Sequence, residues 1–151
     1  MKTLVLGLGN PILTDDAVAF AVVEEVRRRI DREDVTVSQA SVGGLGLLEL
    51  VVGYDRVIIL DAIQTGLAAP GYIHRLTPDE FRGSLRAASS HDVSLTTALE
   101  IGRQLRKDLP KEIVIIAVEA ADVETFGEEL TPTVAAAVPE VVELTLQELE
   151  R

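Results

Sequence analysis

Apolar and polar positions alternate along this chain in blocks of two kinds. Short runs such as Thr3 to Leu8, Arg56 to Leu60 and Ile113 to Val118 are apolar on both faces. Buried parallel strands have that character. Between them lie stretches with a helical stripe. Val18, Val22, Val23, Val26 and Ile30 recur at three- and four-residue spacing, and the helix they define starts near Asp15 or Asp16. Val35 to Ala40 reads as a shorter strand. Gly43, Gly44 and Gly46 mark a tight loop, followed by a short helix from Leu47 to Val52 that ends near Gly53.

Beyond the central strand, Thr65 to Pro70 reads as a loop and Gly71 to Leu76 as a short edge strand. Thr77 to Ser90 is polar and irregular, and Val93 to Lys107 is helical, with Ser90 or Asp92 able to cap it. Thr131-Pro132 predicts an N-cap followed by proline at the first helical position. Pro139 restarts or kinks that last helix, which runs to about Glu150. Strands alternating with helices predict an α/β fold, a three-layer α/β/α arrangement on a mostly parallel sheet of about five strands. No linker or repeat interrupts residues 1–151, so a single domain is expected.

The chain has 151 residues and 47% hydrophobic content, enough for one packed core and too apolar for disorder. Aromatics are 3%, so the core rests on Val, Leu, Ile and Ala. The formal net charge of -11 argues against nucleic-acid and anionic-membrane partners. Zero cysteines exclude disulfides, thiolate catalysis and cysteine-held metals. The opening MKTLVLGLGN is broken by Gly7, Gly9, Asn10 and Pro11 and does not read as a signal peptide. No apolar run reaches the roughly 18 residues of a membrane span. The expectation is a soluble, cytoplasmic protein.

Ligands of open α/β sheets bind outside the carboxyl ends of the strands. Three candidate residues stand where such ends or helix starts should be. Asp16 follows the opening strand, Asp61 closes VIIL, and His91 lies in SSHDVSL before a helix. Two carboxylates and an imidazole form a plausible divalent-metal donor set. Each has a plainer reading: Asp16 as a complement to a helix dipole beside a capping Asp15, Asp61 as a cap on loop amides, His91 as a surface histidine. His74 reads as a solvated edge-strand residue, and Glu119 and Asp122 as solvated loop acids or supporting groups. Gly43-Gly44 serves a turn, or the close approach of a peptide backbone. The Gly-Leu-Gly-Asn-Pro stretch lacks the third glycine of a dinucleotide fingerprint. Asp15 and Asp16 would also face a pyrophosphate there, which argues against that cofactor.

Taken in order, these motifs resemble the hydrogenase maturation proteases. That family opens with a strand and G-x-G-N, then an acidic pair whose second member, matched by Asp16, is a metal ligand. Asp61 in ILDAIQTG and His91 in SSHDVSL match the other two ligands. Gly43-Gly44 and the Ala69 to Gly71 turn also fit. The resemblance covers nearly the whole chain. It implies an endopeptidase acting on the C-terminal extension of a [NiFe] hydrogenase large-subunit precursor, with nickel supplied by that precursor and other divalent ions able to substitute. Catalytic and metal-holding roles would fall to Asp16, Asp61 and His91, and substrate contact to Gly43 and Gly44. This chain departs from the pattern with Ala17 and Ala19 in place of glycines, and with no threonine after Gly44. Two other readings compete with it. Peptidyl-tRNA hydrolases share GLGNP, but here ILTDDAVAF follows, with no histidine before His74. A non-catalytic chaperone or metal-binding module on the same scaffold is the third.

Overall fold

A computed structural model describes residues 1–81 and 95–151. The described strands are β1 (Thr3–Leu8), β2 (Val35–Ala40), β3 (Arg56–Ile63), β4 (Ile73–Leu76) and β5 (Glu112–Glu119). They form one sheet in the order β2-β1-β3-β5-β4. All pairs are parallel except β4 with β5. The described helices are α1 (Val18–Arg29), α2 (Gly44–Val51), the one-turn α3 (Pro78–Phe81), α4 (Leu95–Gln104) and α5 (Pro132–Leu149). The α/β reading of the sequence holds, with the antiparallel β4 at one edge.

Each β3 residue is buried, because β1 and β5 flank it and helices cover both faces. Alternation along the strands sorts the core into two. Val5, Ile58, Leu60, Val114 and Ile116 pack with α1 and α5. Leu4, Leu6, Val57, Ile59 and Ile115 pack with Leu47 and Val51 of α2. Fully burying a Val, Leu or Ile side chain contributes roughly 1.5–3 kcal/mol. These aliphatic side chains therefore make up for the scarcity of aromatics.

Several boundaries differ from the sequence reading. Gly44 and Gly46 belong to α2, and only Gly43 stays outside as its extended N-cap. Pro139 lies inside a continuous α5 and does not end it. Its ring is on the exposed side, where water can satisfy the carbonyl it deprives of a partner. α4 stops at Gln104, short of Lys107. Arg106 turns left-handed at φ 56, and the Lys107 amide donates to the Gly102 carbonyl, a Schellman closure without glycine. The start expected at Val93 lies outside the described residues.

At the amino end of the sheet, buried Arg56 donates to Glu148 at 2.7 Å, and Arg75 reaches the same carboxylate at 2.7 Å. The Arg75 hydrogen bond holds the Glu148 carboxyl below the usual range, and the charges of Arg75, Arg56 and Arg151 add to it against burial. This end is structural. The opposite, carboxyl end carries the candidate chemistry.

Candidate active site

The loop after β1 is built by backbone pairing. The Gly9 amide donates to Ala40, the Asn10 amide to the Asp16 carbonyl, and the Asp16 amide to Leu13. A Cβ on Gly9 would stand 1.9 Å from the Asp16 carbonyl oxygen, so only glycine fits there. A 3-10 turn, Thr14–Ala17, then leads into α1. Thr14 adopts φ 53, and its hydroxyl donates to the Thr125 carbonyl at 2.6 Å.

The two adjacent acids have different surroundings. Asp15 is fully buried and caps nothing on α1. One carboxylate oxygen accepts the amides of Ala121 at 2.9 Å and Asp122 at 3.0 Å, and the other accepts the Thr131 amide at 2.8 Å. The Thr131 hydroxyl also donates to Asp15, leaving α5 without a side-chain N-cap bond. Asp15 is thus a brace between the first loop and the last. Asp16 is 4% exposed, on a turn that packs against β3. The N-cap of α1 is Ala17, so Asp15 is not its cap.

Asp61 lies within β3, not at its end, since the strand continues to Ile63. Its Oδ1 accepts the Ala62 amide at 2.8 Å, and it is 6% exposed. By alternation it shares the face of Ile59 and Ile63, the side covered by α2. Asp61 is level with the end of β1, since Gly7 pairs with Leu60, and Asp16 lies on the turn after β1 that packs against β3. His91 lies outside the described residues, as do Ser89, Ser90, Asp92 and Ser94. The residues flanking that segment, Phe81 and Leu95, both pack on the Asp61 side of the sheet. Gly43 sits at the carboxyl edge of the sheet, between β2 and α2. Among the described residues, no three His, Asp or Glu side chains gather as a metal-holding group.

Two residues set aside in the sequence reading prove to be partnered and covered. Glu119, the last residue of β5, is 3% exposed. It accepts the Thr65 amide at 2.8 Å and the Thr65 hydroxyl at 2.6 Å, and lies 3.0 Å from His74 Nε2. Burial pushes its carboxyl up, but the bonds from Thr65 and His74 outweigh burial and hold it below the usual glutamate range. His74 is edge-on to Tyr72 at 4.8 Å and is half-buried and paired with Glu119, not simply solvated. The strand register puts His74, Ala117 and Asp61 in one row. The argument that singled out Asp61, a carboxylate ending an apolar strand, applies equally to Glu119 in IVIIAVE.

Comparison with known proteins decides the family. The family model described as hydrogenase maturation protease matches residues 20–148. This chain belongs to the hydrogenase maturation protease family. It is 32% identical over 152 residues to the hydrogenase 2 maturation protease of Escherichia coli K12, covering 99% of this chain and 91% of that one. It is also 32% identical over 152 residues to the hydrogenase expression/formation protein HupD of Bradyrhizobium diazoefficiens, covering 98% of this chain and 78% of HupD. The solved structure of the hydrogenase maturating endopeptidase HybD from E. coli superposes with a TM-score of 0.83 at 30% identity, covering 99% of this chain and 93% of HybD. The maturation protease HycI of Thermococcus kodakarensis shares the fold, with a TM-score of 0.75 at 23% identity and coverage of 99% and 93%.

A hydrogenase maturation protease is a peptidase, which removes the non-catalytic reading and the peptidyl-tRNA hydrolase reading together. No cysteine exists in this protease to act as a nucleophile. No described helix is long and apolar enough to cross a membrane.

Proposed function

We propose that this protease removes the C-terminal extension of a nickel-loaded [NiFe] hydrogenase large-subunit precursor in the cytoplasm. Asp16, Asp61 and His91 would complete the shell of the nickel that the precursor carries. The observation supporting this most directly is the placement of two buried carboxylates, Asp61 on β3 and Asp16 on the turn that packs against it, in a chain of this family. Hard oxygen donors with one imidazole suit a divalent ion without competing for it against thiolates. A bound ion would supply Lewis-acid polarisation of the scissile carbonyl. The protein residues hold and orient, and Gly43 and Gly44 leave room for a peptide backbone at the rim.

The test is to incubate nickel-loaded and nickel-free precursor with the protein and follow the mass of the large subunit. Loss of the extension only from the loaded form is expected. Equal cleavage of the nickel-free form, or of an unrelated denatured protein, would overturn the reading.

A further inference from the structure

Eight large apolar side chains are exposed among the described residues, and six of them cluster by position. Ile12, Val42, Leu67, Tyr72 and Phe126 lie on connections at the carboxyl edge of the sheet, and Leu45 lies in the first turn of α2 at the same edge. Only Met1 and Leu105 lie elsewhere. Two of the six are paired. Leu13 and Gly127 form a parallel bridge, and the preceding residues are Ile12 and Phe126. The Gly127 amide donates to the Ile12 carbonyl at 2.8 Å, and the Thr14 amide to the Gly127 carbonyl at 3.0 Å. Asp122 accepts the Glu124 and Thr125 amides at 2.9 Å, setting the turn that precedes Phe126. Phe126 is 79% exposed on this fixed backbone.

Aromatic anchors presented on rigid supports carry much of the affinity of protein interfaces. The surroundings state the chemistry of the partner. Glu124, Glu128 and Glu129 are exposed beside Phe126 and form no ion pair among the described residues. The ribbon is continuous with the site, because its Asn10–Leu13 half is hydrogen-bonded to Asp16. We infer that the Ile12–Phe126 ribbon docks the folded body of the protein substrate, at an apolar pocket rimmed by lysine and arginine. It would hold the substrate apart from the peptide that is cut. This inference rests on the protease reading above.

The experiment is steady-state processing of nickel-loaded precursor, with affinity measured separately by titration calorimetry. Phe126→Ala should raise KM and Kd by roughly 10-fold with kcat nearly unchanged, the signature of lost uniform binding. Phe126→Leu should recover most of it, and Leu105→Ala should change nothing. Glu128→Lys with Glu129→Lys should raise KM, and salt should weaken wild-type binding. Unchanged Kd in Phe126→Ala would overturn the docking role even if cleavage proceeds. Retained Phe126-dependent binding without cleavage in wild type would uphold docking and count against the protease reading. Sedimentation of the protein alone gives a third outcome. A dimer that Phe126→Ala dissociates would assign the ribbon to a second copy and overturn the inference.

Discussion

Asp15 and Asp16 are neighbours with the same side chain and opposite expected sensitivities. Asp15 accepts amides from Ala121, Asp122 and Thr131 while fully buried. Asp15→Ala should cost about 2–4 kcal/mol, because several buried donors lose their acceptor at once. Denaturant unfolding measures this. Asp16→Ala and Asp61→Ala should instead abolish precursor processing with a stability change under about 1 kcal/mol. A processing-competent Asp61→Ala would remove that residue from the site. At this scale the sequence was legible for type and only partly for role. Asp61 stood out because a carboxylate at an apolar strand demands a partner. The division of labour between Asp15 and Asp16 was hidden, because the amides that claim Asp15 are more than 100 residues away in sequence. The cover over Glu119 and His74 was hidden for the same reason, since the Thr65 loop and β4 supply it.

The strands and α1 followed the apolar pattern closely, because burial on two faces leaves an unambiguous run. Helix ends were less legible, because they depend on backbone closure. α4 ends on Arg106 in the left-handed region. Arg106→Gly should stabilise by about 1 kcal/mol, since an L side chain is disfavoured there. α5 carries Pro139 on its exposed face. Pro139→Ala should restore one helical hydrogen bond and raise stability by about 1–3 kcal/mol, read from the urea midpoint. A fall in the midpoint would mean that the ring is needed where it sits. The glycines of α2 misled the sequence reading because glycine is a turn signal by default. Here Gly46 packs closely, as its Cβ would lie 3.1 Å from the Val42 Cβ, a contact that Val42 would have to yield to.

Across the whole molecule, the two ends of the sheet do different work. Arg56, Arg75 and Glu148 lock the amino end, while the carboxyl end gathers acids and exposed apolar groups. Glu119 and Glu148 both have carboxyls held below their usual range in the folded protein. The unfolded chain therefore binds protons at these sites more readily than the folded one. Their contribution is present at neutral pH and is lost as pH falls below about 4.3. The melting temperature should drop as pH falls from about 5 to about 3, and Glu148→Gln should lessen that drop. A Glu148→Gln protein with the wild-type pH profile would contradict the assignment. The family was legible because its motifs recur in order along the chain. Of the three candidate site residues, His91 lies outside the described residues.

The brace at Asp15 also fixes an order of events in time. Its acceptor bonds reach forward across most of the chain, to the end of β5 and the start of α5. Contacts so distant in sequence close late, after the local helices and the central strands have formed. The turn bearing Asp16 adjoins Asp15 and should settle with them. A chain emerging from synthesis would hold a folded sheet before it held a competent cleavage centre. Pulsed hydrogen exchange should find the Asp15 and Thr131 amides among the last to gain protection. A protease assembled in that sequence would be expected to cut only once α5 is in place.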